Sequence, residues 1–390
     1  MAMVELEEKK RAIVSFVQGR GEDFSAVAEE LYRHPEPGLY EVASSALLAA
    51  FLEREGFAVE RGCAGLATAF RACWGSDGPV IALIAEMDAL PQLGHACGHN
   101  IIAAAALGAA TALRHLLPED AGRIVVLGTP AEELGIGKVE MIRQGFFDDV
   151  EFAMMVHPSS KRQVIKGFLG LARIRFTFIG KAAHAGAYPE EGVNALDGVI
   201  QTFTGINALR QQLRQDVRVH GIITEGGSAP NIIPGRAACY FYVRAADLDM
   251  LEKVKARVVA CAEGAATASG CRLEVEVDPR QLAPMKINRA FSALYSAQLS
   301  LLGLPEVLAP ADQNKGSSDI GNVSQLVPTI HPHVPIGEGV RIHSEEFARA
   351  TISPEGKAAV VEGATALALT ALELIAVPEQ REAVRLDFRS

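Results

Sequence analysis

The sequence predicts an α/β protein: a mixed, mostly parallel sheet flanked by helices, interrupted by a smaller antiparallel unit. Three observations carry this reading. Short apolar runs (VIALIAEM, RIVVLG, FAMMV) alternate with helical stretches, as in strands buried on both faces of a parallel sheet. Near residue 168 the pattern changes to strands whose apolar and polar residues alternate, the mark of a half-exposed antiparallel sheet. Near residue 283 the buried pattern returns. The first domain is therefore discontinuous, 1–167 with 282–390, and residues 168–281 form an insertion.

Taken in order, apolar spacing predicts a helix over about 5–33, ending at His34-Pro35-Glu36-Pro37-Gly38, and a second over 41–55, stopped by Gly56. A buried strand over 80–87 leads through a glycine-bearing loop to an alanine-rich helix over 101–117, with Asn100 as its N-cap. Strands at 123–128 and 152–156 follow. In the insertion, a strand at 171–178, a helix at 193–212, strands at 218–224 and 237–244, a helix at 248–266 and a strand at 272–277 give the order βαββαβ, a ferredoxin-like unit. A helix at 288–302, an apolar segment at 327–330 and a helix at 354–374 complete the first domain.

Composition narrows the function classes. The chain has 390 residues, 49% of them hydrophobic and 22% charged, which is ordinary for a globular protein with room for two cores. A net charge of -10 argues against nucleic acid or an anionic membrane as partner, because both require a basic face. No uninterrupted apolar run reaches the roughly 18 residues of a membrane span, and the charged start MAMVELEEKKR lacks the apolar core of a signal peptide. Six scattered cysteines form no disulfide framework. A reduced, cytoplasmic setting is expected.

The chemistry gathers at strand ends. Gly94-His95-Ala96-Cys97-Gly98-His99-Asn100 joins a strand to a helix at the edge where open α/β folds place their sites, and Cys97 and His99 there can converge on one metal ion. Asp88, at the end of the preceding strand, is placed to accept the second N–H of a ligating imidazole. Glu132 and Glu133 follow the next strand. Two adjacent carboxylates in a partly dry loop need a cation, so that one can bind it while the other takes a proton from water. The third strand delivers His157. His343, in a loop ahead of a helix, is the natural last ligand, whereas His331 and His333 read as local structure. His34 and Glu41 are candidates for function, but polar residues beside a proline turn are more often caps or satisfied surface groups, and both are read so. In the insertion, His184, Asn231 and Arg244 suit a polarised carbonyl and a substrate carboxylate.

The ordered series MDALP, GHACGHN, GTPAEE, MMVHP, KAAHAG, APNIIP, GSSDIGNVS and IHSEEF resembles the metallopeptidase family of carboxypeptidase G, aminoacylase-1 and the indole-acetyl-amino-acid amidohydrolases. It spans nearly the whole chain. The cysteine of HACGH is similar to the amidohydrolase branch. Asn100 and GSSDIGNVS bring the chain near the aminobenzoyl-glutamate hydrolase and beta-alanyl-lysine-type dipeptidases. The resemblance implies a zinc-exopeptidase-like fold and two divalent ions, zinc or manganese, held by Cys97, His99, Glu133, His157 and His343. It further implies Glu132 as general base and acid and Asp88 as the orienting carboxylate. A homodimer through the inserted lid domain is also implied, with His184 polarising the scissile carbonyl in the partner's site and Asn231 and Arg244 touching substrate. The expected reaction is hydrolysis of an amide bond in a small substrate, an N-acyl or aminoacyl amino acid or dipeptide. Deamination of an aromatic amine needs the same metal and base. A cysteine-nucleophile hydrolase would use Cys97 with a histidine base, but the surrounding ligand types argue for a metal-binding thiolate. A non-catalytic descendant would have lost Glu132 or a ligand.

Overall fold

The structure, a computed structural model, describes residues 3–310 and 316–390. It divides into one unit of Met1–Gly167 with Met285–Ser390 and a second of Phe168–Pro284.

In the first unit, α1 (Met3–Gly19), α2 (Gly21–Arg33) and α3 (Val42–Arg54) precede β1 (Ala58–Arg61), β2 (Phe70–Trp74) and β3 (Val80–Glu86). Then come α4 (His99–Leu116), β4 (Arg123–Thr129), α5 (Gly137–Arg143), β5 (Phe152–Met154) and β6 (His157–Ser159). The second unit holds β7 (Gly170–Ile179), α6 (Ala195–Arg210), β8 (Arg218–Glu225), β9 (Arg236–Ala245), α7 (Leu248–Ser269) and β10 (Arg272–Val277). The first unit resumes with α8 (Arg289–Leu301), α9 (Ile320–Leu326), β11 (Thr329–Ile330), β12 (His333–Pro335), α10 (Glu345–Ala350), α11 (Pro354–Ala376) and α12 (Pro378–Arg389).

The main sheet has the order β1-β2-β4-β3-β5-β11. Its β4-β3-β5-β11 portion is parallel and its β1-β2-β4 edge antiparallel. The three buried runs of the sequence are thus neighbours in space, and their carboxyl ends share one edge. Against the sheet lies α4, whose residues from His99 to Leu113 are all buried, and α11 packs on α4. Small residues allow that approach: a Cβ on Gly108 would come 2.8 Å from the Ala364 Cβ, and one on Gly363 would come 3.2 Å from the Ala105 Cβ. By length and composition α11 could cross a membrane, but 83% of its most apolar stretch is buried inside the protein, as befits a core helix.

Two sequence expectations are corrected. The helix expected over 5–33 is two helices, since Arg20 (φ -110, ψ 11) breaks it between two glycines. A Cβ on Gly21 would come 2.9 Å from Val361 Cγ2. Asn100 is not the N-cap of α4. Gly98, in the left-handed region at φ 80, holds that place, while Asn100 inside the helix donates to Ala28 O (3.1 Å) and Thr351 Oγ1 (3.0 Å). The amide joins α2, α4 and the end of α10, so tertiary packing claims it before capping can.

The second unit has a four-stranded antiparallel sheet, β10-β7-β9-β8, with α6 and α7 against it and a core that includes Ile174, Phe176, Phe178 and Phe241.

Candidate metal centre

Four loops of the first unit meet at the carboxyl edge of the main sheet. The first runs from β3 to α4. Gly98 is required there, because a Cβ would lie 2.2 Å from Pro158 Cγ, and this close approach brings the Cys97 loop against β6. His99 opens α4, completely buried, and its Nδ1 meets Asp88 Oδ1 at 2.8 Å. The other oxygen of Asp88 accepts the Glu133 backbone N–H at 3.0 Å, so one carboxylate ties two ligand loops together. With Nδ1 committed to Asp88, Nε2 is the His99 nitrogen left to face the centre. That buried nitrogen makes no hydrogen bond, and its neighbours are Glu86 Oε2 at 3.4 Å and Glu132 Oε2 at 3.9 Å.

His157 follows the same logic. Its backbone N–H donates to Pro332 O (2.8 Å), and its Nδ1 sits 2.8 Å from Pro158 O. Nε2 is thereby left facing Cys97 Sγ at 3.6 Å. His343 takes the left-handed conformation (φ 64), and its backbone donates to Ala96 O at 2.8 Å, which fastens this late loop to the Cys97 loop. Its Nε2 is 3.5 Å from Glu133 Oε1. Donor atoms fall into groups within 4.8 Å of one another: Cys97, His99 and His157; Cys97, Glu133 and His343; His99, Glu132 and Glu133.

These residues fit divalent cations. Two imidazoles have Nδ1 committed to an oxygen, His157 Nε2 faces the Cys97 thiol, and His99 Nε2 and a carboxylate oxygen of Glu133 are buried without a hydrogen bond. One soft sulfur with imidazole and carboxylate donors suits zinc-like ions.

Electrostatics agree with this geometry. Burial pushes the Cys97 thiol well up, and the charge of His99 pulls against it. His157 is driven by burial down to about 3, so its ring is neutral and available. For His99, burial opposes the charge, but Cys97, Asp88 and Glu86 outweigh it and raise the group well above the ordinary range, so without a cation the ring holds a second proton at Nε2, which a bound cation would displace. Glu132 is raised well above an ordinary glutamate by burial and by the nearby Glu86 and Asp319 carboxylates. In Glu133, burial is overcome by His343 and His99 and the group is lowered. Adjacent glutamates thus differ as a proton acceptor and a permanent anion would.

In the second unit His184 is exposed, and its Nδ1 accepts from the Gly186 and Ala187 N–H groups at 3.3 and 3.2 Å. Nε2 therefore carries the proton and can donate it outward. Asn231 lies alongside, its carbonyl accepting from Ala185 N at 3.0 Å. Arg244 does not join them. It pairs with Leu171 at the far end of the sheet, eight residues along β9 from Arg236. At about 3.3 Å per residue that is roughly 26 Å, so within one subunit a carboxylate held at the His184 end is out of its reach.

Around the centre lie residues that sequence reasoning either missed, as Lys138, or set aside, as His331, His333 and Glu41. Lys138, fully buried, holds Glu86 Oε1 and Asp319 Oδ1, each at 2.6 Å, behind Glu132. Both carboxylates outweigh burial and hold the ammonium charged, while Asp319 itself is pushed by burial up to about 6. His331 and His333 place their ring centroids 5.2 Å from that of His157, with His333 stacked. Glu41 is completely buried, whereas His34 is exposed beside Glu30. The only signal for these residues in the sequence was proximity to motifs already singled out, as Asp319 in GSSDIGNVS.

An α/β sheet whose carboxyl edge presents thiol, imidazole and carboxylate donors with one spare buried glutamate defines the class of metal-dependent hydrolases. Comparisons sharpen this. Residues 167–268 match the peptidase dimerisation domain of the M20 family. A mouse Xaa-Arg dipeptidase is 37% identical over 402 residues, covering 99% of this chain and 93% of that protein. One polypeptide of the Escherichia coli p-aminobenzoyl-glutamate hydrolase is 33% identical over 77% of this chain and 67% of its own length. Among solved structures, a putative aminohydrolase of Staphylococcus aureus superposes with a TM-score of 0.81 at 20% identity, covering 94% of this chain and all of that one. A Bacillus subtilis dinuclear metal binding peptidase of the M20 family gives 0.72 at 21% identity, covering 91% and 99%. The chain belongs to the M20 family of metallopeptidases. It is a hydrolase of amide bonds in small substrates.

Proposed function

We propose that the protein is a cytoplasmic dipeptidase or N-acyl amino acid amidohydrolase, working with two divalent ions, zinc or manganese, held by Cys97, His99, Glu133, His157 and His343. The observation that carries this is Glu132: a carboxylate only 11% exposed, of raised proton affinity, 3.9 Å from His99 Nε2. When bound, the ions lower the pKa of water and polarise the substrate carbonyl. Glu132 takes the proton of the attacking water and returns it to the leaving nitrogen, which converts a poor amide leaving group into an amine. Asp88 keeps His99 in the required tautomer. His184, with Nδ1 already accepting, donates its Nε2 proton to the carbonyl oxygen as charge develops there. Asn231 presents an amide beside it. The protein acts as a homodimer through its Phe168–Pro284 unit, in which His184 serves the partner's centre.

Dipeptides ending in a basic residue are the first substrates to test, given the Xaa-Arg dipeptidase relative, and p-aminobenzoyl-glutamate the second. Protein stripped with a chelator and reloaded with zinc or manganese should cleave a member of a panel of dipeptides and N-acyl amino acids, with activity lost again on chelation. Cleavage that persists without metal, or none with any metal across the panel, overturns the proposal.

A further inference from the structure

The turn before α3 carries a device that nothing in the metal centre itself requires. Glu41 is completely buried and bonded at both carboxylate oxygens. Oε1 accepts the Ala131 backbone N–H at 2.8 Å, and Oε2 accepts the Thr68 hydroxyl at 2.8 Å. Ala131 immediately precedes Glu132-Glu133 and holds φ 55, a left-handed conformation that an alanine adopts only under constraint. Such a residue reverts unless its surroundings over-determine it, and Glu41 supplies a strong, desolvated acceptor for its N–H.

The same turn presses on Ala131 from a second side. A Cβ on Gly38 would lie 3.0 Å from Ala131 Cα, which shows how closely the two backbones approach. It also grips the β3 loop: Pro37 bridges to Ala89, and the Ala89 N–H donates to Glu36 O at 2.8 Å. Glu36 in turn accepts from the Ala43 and Ser44 N–H groups at the start of α3. Residues 36–41 therefore brace both loops that bear Asp88 and Glu132, and they are themselves anchored to a helix.

We propose that Glu41 is the positioning residue of the general base: by holding left-handed Ala131 it aims the Glu132 carboxylate, touching neither substrate nor metal. This rests on the reading of Glu132 as the base. Burial raises the proton affinity of Glu41, and the protonated acid resembles a glutamine in shape and bonding.

That resemblance supplies the test. In E41Q the amide oxygen still accepts from Ala131 N–H and the amide nitrogen can donate to Thr68, whereas E41A leaves both donors without a partner. A displacement on the order of 1 Å at the base costs roughly 100-fold, so E41A should lose about 100-fold in kcat with KM within about threefold and metal content at the wild-type level. E41Q should stay within about fivefold of wild type in kcat, as an interaction retained. The second readout needs no activity. In metal-free protein, hydrogen exchange of the peptide spanning 129–137 should quicken by about tenfold or more in E41A and stay at the wild-type rate in E41Q, as a local opening would dictate. Should E41A not fold, E41D, one methylene shorter, replaces it with the same expectation. The proposal is overturned if E41A keeps kcat within about threefold of wild type, if E41Q loses as much as E41A, or if exchange at 129–137 is unchanged in E41A. A wild-type protein that cleaves no amide would sink the functional reading instead, and the exchange comparison would still judge Glu41.

Discussion

Replacing Glu132 by glutamine should separate catalysis from stability in opposite directions. General-base catalysis is typically worth 10²- to 10⁴-fold, so Glu132→Gln should lower kcat by at least about 100-fold, some 2.7 kcal/mol of barrier, with metal content unchanged. The stability effect follows from crowding. Glu132 shares a pocket with Glu86 and Asp319, their oxygens within 4.8 Å, and the buried Lys138 ammonium pairs with Glu86 and Asp319. Burial and these like charges raise the Glu132 carboxyl above its ordinary 4.5. The folded state then holds this proton more tightly than the unfolded chain does. The group's contribution to stability is fully present below pH 4.5 and is lost as pH climbs toward the folded value, at up to about 1.4 kcal/mol per pH unit. Glutamine does not titrate. Metal-free Glu132→Gln should match wild type near pH 4.5 and exceed it by a margin that widens as pH rises above that value, read from denaturant unfolding at a series of pH values. A variant that turns over at the wild-type rate refutes the base assignment. One that is less stable than wild type above about pH 5.5, a unit past the ordinary value, refutes the crowding argument, whatever happens to activity.

Other consequences can be checked separately. Asp88→Asn removes the anion that holds His99 in its tautomer, and metal affinity measured against a competing chelator should fall about 10- to 100-fold. Lys138→Met leaves the buried Glu86 and Asp319 carboxylates without their cation and should cost about 3–5 kcal/mol in unfolding free energy; a loss under about 1 kcal/mol would mean that the pair is solvated or neutral. Gly98→Ala would force a Cβ to 2.2 Å from Pro158 at a left-handed position, so a loss of about 1–3 kcal/mol together with weakened metal binding is expected, and wild-type behaviour in both would contradict the close approach of the Cys97 loop to β6.

What could be read in the sequence was whatever is periodic or local. The runs that became β3 and β4 announce themselves because both faces of those strands are buried, and the alternation that became β7 does so because one face is not. Cys97, His99, Glu133, His157 and His343 stand at ends of such elements, where motif and position coincide. Lys138 and Asp319 gave no comparable signal: a lysine in a short helix looks solvated until its partner, 181 residues away, arrives. Glu41 reads as a cap or surface group for the same reason, since the donors it accepts from, Thr68 and Ala131, are 27 and 90 residues distant. The break at Arg20 depends on the packing of Gly21 against Val361, and the fate of Asn100 on Thr351. Arg244 groups with His184 and Asn231 by chemistry alone, as side chains suited to a carbonyl and a carboxylate; strand register puts it at the opposite end of the sheet from them. In each case the missing information was long-range.

The centre draws its donors from both sides of the 168–284 insertion. Cys97, His99, Glu133 and His157 precede it and His343 follows, while Asn100 reaches Thr351, Lys138 reaches Asp319 and β6 pairs with β12 across the same divide. A growing polypeptide that has emerged only through the insertion would hold four of the five proposed ligands but neither Thr351 and Asp319 nor the strand that backs His157. Full-affinity cation capture must therefore wait until nearly the whole chain has been made and its two halves have closed on each other. An ion held by the proposed ligands would then report completed assembly rather than nucleate it, and fragments ending short of His343 would compete poorly for scarce metal.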